Sequence, residues 1–255
     1  MSTGSPGEGR SPAVREAIAE LVRANRILAR FGVIDAFGHV SVRHPEMPDR
    51  YLMARSLGPQ LVTAADIVEF NLDNTAIDAN GRWLYAERYI HGCIYQLRPD
   101  VGAVCHSHSH SIIPFGVTQV PLRPVFHMAA GLGGPVPVWD IRQEFGDTNM
   151  LVTRQETGLS LARALGQGPA ILMRGHGGVV AQANLQPTVF TSIYLQINAQ
   201  ILQQALALGA PILLNEGETA LAGEHMKAPL ALQRAWQTWC DGLGLTDSDL
   251  GLGPG

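Results

Sequence analysis

The segment Val104-Cys105-His106-Ser107-His108-Ser109-His110 places three histidines at alternate positions behind a short apolar run. If residues 101–108 form a β-strand, side chains two positions apart point to the same face, so His106 and His108 converge. Neutral imidazole is a good ligand for Zn²⁺, Fe²⁺, Mn²⁺ and Co²⁺. The segment therefore predicts a strand that presents two ligands to a divalent metal ion.

A third candidate ligand lies far downstream, in Met173-Arg174-Gly175-His176-Gly177-Gly178. There a histidine flanked by glycines follows a second apolar strand, predicted over 170–173. Three neutral histidines leave a metal ion with open coordination positions, as in catalytic rather than structural sites. The alternative for each histidine is a strand residue that only bonds a backbone carbonyl group. Spacing alone leaves both interpretations open.

Glu87 lies in the first turn of a helix predicted over 86–97. If this helix points at the metal, the carboxylate is a candidate acid/base or a further metal ligand. The alternative is a carboxylate that is placed there because a helix N-terminus favours negative charge. The spacing does not decide between these roles.

Composition excludes several classes of function. The chain has 255 residues, three cysteines, a net charge of -4 and 16% charged residues. It lacks a run of basic residues that could bind the phosphate backbone of a nucleic acid. No apolar stretch reaches the roughly 18 residues of a membrane span. Few, unpatterned cysteines are typical of reduced cytosolic proteins. We predict a cytoplasmic protein that acts on a small-molecule substrate, with no nucleic-acid or membrane partner.

Predicted helices and strands interleave along the chain, which indicates the α/β class. No linker divides the sequence, so we predict one domain over 11–241. Residues 1–10 are rich in glycine and serine and are predicted to be disordered or flexible. Residues 242–255 are predicted to form a flexible C-terminal tail.

Four motifs occur in a specific order and spacing: Gly38-His39-Val40-Ser41-Val42-Arg43, Ala86-Glu87-Arg88-Tyr89-Ile90-His91, Val104-Cys105-His106-Ser107-His108 and Arg174-Gly175-His176-Gly177. Together they resemble the class II aldolase/adducin family, which includes the fuculose and rhamnulose phosphate aldolases. The resemblance extends from about Val14 to Gly209. It implies a single α/β/α sandwich with a mainly antiparallel central sheet, assembled as a homotetramer with active sites at subunit interfaces.

The resemblance also implies roles for the candidate residues. His106, His108 and His176 match the family's metal ligands, and Glu87 matches its catalytic acid/base, which also binds the metal in some resting enzymes. One divalent ion per subunit follows, and we expect zinc ahead of manganese, iron or cobalt.

The chain departs from the sugar-phosphate aldolases at positions that bind phosphate. His39 stands where those aldolases have the asparagine of a Gly-Asn-x-Ser motif, and Tyr85-Ala86 replaces a Ser-Ser pair. The resemblance is therefore closer to the branch that acts on hydroxyaromatic acids, which includes decarboxylases.

Six residues are candidates for substrate binding, each with a packing or surface role as the alternative. The set is His39, Ser41, Arg43, His110, His127 and Arg174. His39 and Ser41 share one face of a predicted strand. An arginine binds a carboxylate through two parallel hydrogen bonds, although pairing of these arginines with Asp35 or Asp66 is the alternative.

The leading hypothesis is a metal-dependent lyase that decarboxylates a hydroxylated carboxylic acid, a class that includes aromatic acids. Three alternatives stay open: retro-aldol cleavage of a sugar or sugar phosphate, oxygenation of a hydroxyaryl or keto acid by non-haem iron, and a non-catalytic adducin-like interaction module. Oxygen dependence separates decarboxylation and retro-aldol cleavage from oxygenation. Bound metal separates these three reactions from the interaction module.

Overall fold

A computed structural model describes residues 10–252 of the chain. Nine α-helices lie in this part: α1 Pro12–Arg30, α2 Tyr89–Leu97, α3 Ile113–Val117, α4 Arg142–Phe145, α5 Gln155–Leu165, α6 Leu185–Leu208, α7 Glu216–Met226, α8 Pro229–Asp241 and α9 Asp247–Leu250. The same residues include seven strands: β1 His39–Arg43, β2 Arg50–Ala54, β3 Ile67–Asn71, β4 Ala103–Ser107, β5 Val138–Trp139, β6 Ala170–Met173 and β7 Gly177–Gln182. The predicted flexible segment 1–10 lies outside the described residues, apart from Arg10.

The strands form one sheet in the order β3-β2-β1-β4-β7-β6-β5. Neighbouring strands are antiparallel, except that β5 and β6 pair in parallel. The histidine strand β4 lies at the centre, where its register sets His106 opposite His39 on β1 and Val179 on β7. The predicted, mainly antiparallel sheet is confirmed.

Helices cover both faces of this sheet. On one face lies α2, whose Tyr95 phenol is 2.8 Å from the Ser41 hydroxyl of β1. On the other face lies α6, whose Ser192 side chain is near the Cys105 thiol of β4. Ser41 pairs with Val104, the neighbour of Cys105, and successive strand residues point to opposite faces. The fold is therefore the predicted α/β/α sandwich.

The opening helix α1 follows the predicted pattern. The Ser11 hydroxyl accepts a hydrogen bond from the N–H of Val14, and Pro12 occupies the first turn, where no backbone N–H is needed. Side chains at helical spacing, including Ile18 and Leu21, are buried in the main core. Within residues 10–252, no helix is both long enough and apolar enough to cross a membrane.

The C-terminal part of the chain adds three helices that the sequence analysis did not predict. Helix α7 packs on the 3₁₀ turn His127–Leu132, and α8 packs on α6. Helix α9 lies within the segment 242–255 and buries Leu250 in the main core. Residues 253–255 of that predicted flexible tail lie outside the described residues.

The turn between β6 and β7 carries His176. Gly175 has a φ of +65°, a left-handed conformation that glycine adopts without the steric cost of a Cβ atom. A Cβ atom at Gly177 would overlap the backbone carbonyl oxygen of Ser107. The two glycines therefore hold His176 beside the end of β4.

Candidate metal centre

Four side chains converge at the end of β4: Glu87, His106, His108 and His176, called the metal group below. Each offers one ligand atom, and these atoms all lie within 4.8 Å of one another. The Nε2 atom of His108 is 3.1 Å from that of His106 and 3.2 Å from that of His176. Oε2 of Glu87 lies 3.5 Å from Nε2 of His176. The structure thus brings together the residues that were predicted for metal binding and acid/base chemistry.

The second ring nitrogen of each histidine has a partner of its own. Nδ1 of His106 lies 3.2 Å from a backbone carbonyl oxygen of β7, and Nδ1 of His176 lies 3.0 Å from that of Met150. Nδ1 of His108 faces a carboxylate oxygen of Asp35 at 3.4 Å. Carbonyl and carboxylate oxygens only accept hydrogen bonds, so Nδ1 carries the proton and Nε2 keeps a lone pair.

Three lone pairs that face one another form no hydrogen bonds among themselves, but they fit a cation placed between them. Hydrogen bonds from Nδ1 to oxygen acceptors orient imidazoles in this way in protein metal sites. Burial lowers the pKa of His106 to about 3, so that its ring is neutral at pH 7, the form that binds a metal. Three imidazoles with one carboxylate suit zinc, manganese, iron or cobalt.

Glu87 reaches the metal group because α2 does not begin as a regular helix. Residues Ala86–Arg88 form a 3₁₀ turn, with Glu87 at a φ of -90° and a ψ of 19°. Its Oε1 atom accepts a 2.9 Å hydrogen bond from the N–H of Val152. Burial raises the pKa of this carboxyl group, but with protons on Nε2 of His176 and His106 in the place of a cation, and with the Val152 N–H, the pKa falls to about 2. The carboxylate is ionised and able to accept a proton.

The loop before α5 supports the metal group through backbone atoms. Met150 supplies the carbonyl oxygen that fixes His176, and Val152 supplies the N–H that holds Glu87. Met150 has a φ of +67°, a left-handed conformation that costs a non-glycine residue about 1 kcal/mol. No side-chain pattern in the sequence marks this loop, because its role belongs to backbone atoms.

A cavity of about 470 Å³ opens beside the metal group. Glu87, His108 and His39 line it, and much of the remaining wall is apolar or aromatic: Ala36, Phe37, Leu57, Tyr85, Ala86 and Leu151. The lining that residues 10–252 provide includes neither lysine nor arginine. The volume and walls suit a small, partly apolar ligand.

His39 also belongs to a second buried group, called the relay below: His39, His91, Ser41 and Tyr95. Nδ1 of His39 is 2.7 Å from Nε2 of His91, and Nδ1 of His91 is 2.6 Å from the Ser41 hydroxyl. Ser41 in turn contacts the Tyr95 phenol. Burial lowers the pKa of His39, and it lowers the pKa of His91 to about 3, so both rings are neutral at pH 7.

Residues 19–203 match the family model described as the Class II Aldolase and Adducin N-terminal domain. The chain belongs to this family. The resemblance that the four motifs predicted is confirmed.

The proteins similar to this class II aldolase/adducin chain include decarboxylases and aldolases. Decarboxylase tropJ of Talaromyces stipitatus is 32% identical over 235 residues, which cover 84% of this chain and 88% of that protein. A 3,4-dihydroxyphthalate decarboxylase of Arthrobacter keyseri is 28% identical, with 78% and 81% of the two chains covered. The solved structure of an L-fuculose 1-phosphate aldolase from Glaciozyma antarctica has a TM-score of 0.76 at 26% identity, with 94% of this chain and 93% of that chain covered.

Within this class II aldolase/adducin domain, both candidate arginines form contacts inside the protein. Arg43 donates hydrogen bonds to three backbone carbonyl groups in 95–101. Arg174 forms a 2.7 Å ion pair with Asp140. The alternative pairing with Asp35 or Asp66 is wrong, because Arg174 lies against a different carboxylate and Arg43 bonds the backbone. Substrate binding by either arginine stays a prediction.

Two candidate histidines of the class II aldolase/adducin domain lie apart from the metal group. His110 is exposed in the turn after β4, and His127 is exposed at the start of a 3₁₀ turn. Neither is among the described residues that line the cavity. Ser41 lies behind His39 in the relay. The substrate roles of these three residues stay predictions.

Proposed function

We propose that this protein is a divalent-metal-dependent carbon–carbon lyase that decarboxylates a hydroxylated aromatic carboxylic acid. The observation that carries the proposal is the convergence of three imidazole nitrogens and the Glu87 carboxylate within 4.8 Å, beside a cavity. The decarboxylases among the similar proteins support this choice of reaction.

His106, His108 and His176 would hold one ion per subunit through their Nε2 atoms. A bound dication supplies a fixed positive charge that stabilises negative charge on an adjacent substrate oxygen, which contributes several kcal/mol to lowering a barrier. Zinc is our first choice, although manganese, iron and cobalt suit the same ligands. The hydrogen bonds at Nδ1 orient the rings in advance, which reduces the cost of ordering them on binding.

Glu87 is the residue that would move the proton. Val152 holds Oε1, so Oε2 is free to take the proton of a substrate hydroxyl group. The same oxygen then delivers that proton to the ring carbon that bears the carboxylate. The carbon–carbon bond breaks, its electron pair returns to the ring and restores aromaticity, and CO₂ leaves. The ring oxygen finally regains a proton from water.

The cavity favours an aromatic acid over a sugar phosphate. The side chains of Phe37, Leu57, Tyr85 and Leu151 provide apolar surface for a flat ring. A phosphate dianion would meet no lysine or arginine among the described residues that line the cavity. The aldolase among the solved structures nevertheless supports retro-aldol cleavage as the second candidate.

We also propose a homotetramer with active sites at subunit interfaces, which the family resemblance implies. Size-exclusion chromatography with light scattering should then give about four times the chain mass of 27.4 kDa. A monomer at assay concentration would contradict this proposal.

The reaction is tested with zinc-loaded protein and a panel of hydroxyaromatic acids, hydroxy and keto acids, and sugar phosphates, each with and without O₂. We expect anaerobic CO₂ release from a hydroxyaromatic acid, its loss on chelation, and a decrease of about 10²–10⁴-fold in Glu87→Gln. The matched control is Glu46→Gln, the same chemical change at an exposed position, which should retain full activity.

Other results would favour other functions. Aldehyde release from a sugar phosphate would favour the aldolase, and strict O₂ dependence with iron would favour the oxygenase. Protein that neither retains nor rebinds metal would favour the non-catalytic module. Full activity of Glu87→Gln would remove this residue from the reaction.

A further inference from the structure

The relay has a direction, which follows from its end at Tyr95. Among the described residues, the hydrogen-bonding side chain that the Tyr95 phenol meets is Ser41, at 2.8 Å. The phenol is fully buried, and a buried O–H group without an acceptor is costly. Tyr95 therefore donates to Ser41. The Ser41 hydroxyl needs an acceptor for its own hydrogen, and among the described residues Nδ1 of His91, 2.6 Å away, is the group that can accept it.

The direction fixes the positions of the protons on both imidazoles. A neutral His91 that accepts at Nδ1 carries its proton on Nε2. That Nε2–H donates to Nδ1 of His39 across 2.7 Å. His39 accepts at Nδ1, so its own proton is on Nε2. If His91 donated from Nδ1 instead, either the Ser41 hydrogen or the Tyr95 hydrogen would lack an acceptor among the described residues.

His39 lies at the wall of the cavity. His39 lines this cavity together with Glu87 and His108, and its ring centre is 4.6 Å from that of Tyr85 and 5.1 Å from that of His106. Because Nδ1 is occupied by His91, Nε2 is the nitrogen that remains for a ligand. The cavity therefore has one uncharged N–H donor between its aromatic wall and the metal group.

We propose that the relay holds His39 in the Nε2–H form, and that His39 is a specificity-determining residue that donates one hydrogen bond to an oxygen of a hydroxyaromatic acid. The proposal rests on the proposed function for the class of ligand. The proton positions are independent of the proposed function, because they follow from contacts within the chain. A single neutral donor satisfies one hydroxyl or carboxylate oxygen, whereas a phosphate group presents three strong acceptor oxygens that need several donors.

Nitrogen NMR of zinc-loaded protein labelled with ¹⁵N-histidine tests the proton positions, because the two neutral forms of imidazole give different pairs of shifts. His39→Gln and His91→Gln assign the resonances. We expect both rings to be protonated on Nε2 in the wild type. A proton on Nδ1 of either ring, or on both nitrogens, would overturn the directed relay.

The contact with the ligand is tested with 2,3-dihydroxybenzoate as the probe. We expect it to move the Nε2 resonance of His39 and to bind about tenfold more weakly to Ser41→Ala, in which His91 loses its donor. Ser41→Thr keeps the hydroxyl and should bind within about twofold of the wild type. His39→Gln, which keeps an N–H donor, should bind more tightly than His39→Phe.

These outcomes separate the two proposals. An unmoved His39 resonance, or unchanged binding in Ser41→Ala and His39→Phe, would overturn the ligand contact even in a protein that releases CO₂. Expected proton positions and a moved resonance, without CO₂ release from any acid, would support the His39 proposal while the proposed reaction fails.

Discussion

The metal group and the relay lie side by side on one face of the sheet, yet their histidines use the ring nitrogens in opposite ways. In the metal group, each Nδ1 faces an oxygen acceptor and the three Nε2 atoms face one another. In the relay, His39 and His91 bond each other, and the hydrogen bonds continue to hydroxyl groups. His39 and His106, one from each group, are directly opposite on β1 and β4.

The difference shows that the partner of the second nitrogen decides what a buried histidine does. In the relay each donor meets an acceptor, so the group is complete without an ion. In the metal group the lone pairs repel unless a cation lies between them. His106 of the metal group is as buried as His39 and His91 of the relay, so neither burial nor residue type decides the role of such a histidine.

The largest effect is expected when the His108 ligand is removed. This side chain is partly exposed, so the fold tolerates its truncation to alanine. His108→Ala should bind zinc about 100-fold more weakly, or worse, because loss of outer partners alone costs 10–100-fold. Zinc at 100 times its dissociation constant adds about 2.7 kcal/mol to the stability of a binding-competent protein, which corresponds to a rise in Tm of roughly 5–10 °C. Thermal unfolding with and without zinc measures this rise, which should fall to about 1–2 °C or less in His108→Ala.

The matched control is His110→Ala, which removes the next alternate histidine at an exposed position. It should keep the full zinc-dependent rise in Tm. An equal rise in both variants would contradict the assignment of His108 as a ligand.

A second effect concerns the relay and acid. The pKa of His91 is about 3 in the folded protein because of burial, against 6.5 for the unperturbed group. Between these values the unfolded chain binds a proton that the folded protein does not, so stability falls as the pH drops below 6.5. In His91→Gln, which keeps an acceptor and a donor without titrating, Tm should fall less steeply between pH 7 and pH 4.5.

A chelator is added to all samples, so that loss of metal at low pH does not contribute to the slope of Tm against pH. His225→Gln makes the same change at an exposed site on α7 and should retain the wild-type slope. If His91→Gln kept that slope as well, His91 would not be the source of the acid sensitivity.

The smallest effect is expected in the turn that carries His176. Gly175→Ala and Gly32→Ala both place a Cβ atom at a φ near +65°, which costs roughly 1 kcal/mol. At Gly32 the new atom meets open space, whereas at Gly175 it lies 3.1 Å from Cε of Met150. Both variants should lose a few degrees in Tm, but zinc affinity should fall only in Gly175→Ala. Equal zinc affinity in the two variants would show that the turn does not position His176.

The strands and most of the metal group were accessible from the sequence because their signals are local. The i, i+2 spacing of His106 and His108 determines their common face once β4 is a strand. The glycines around His176 indicate a tight turn at the end of an apolar strand. Glu87 was different: viewed alone it suited a charge at a helix N-terminus better, and only the order of the four motifs indicated a catalytic role.

The remaining features depend on contacts between distant segments. Met150 and Val152 act through a carbonyl oxygen and an N–H that every residue type possesses, so no side-chain pattern marks them. The connection between His39 and His91 depends on how α2 packs on the sheet. Arg174 forms its ion pair with Asp140, which the spacing of the two residues in the sequence could not indicate. Helices α7 and α8 were missed altogether, although Trp236 of α8 is buried in the main core.

The separation of the ligands along the chain has a consequence for how the protein acquires its metal. His106 and His108 are two residues apart, whereas His176 is 68 residues from His108. The first pair is therefore available to an ion in the unfolded chain, while the third histidine arrives only after a long loop has closed. An ion captured early stabilises the unfolded chain as well, and it reduces the stability that the completed site contributes. Zinc should therefore stabilise the protein by less than its affinity for the folded state alone would give.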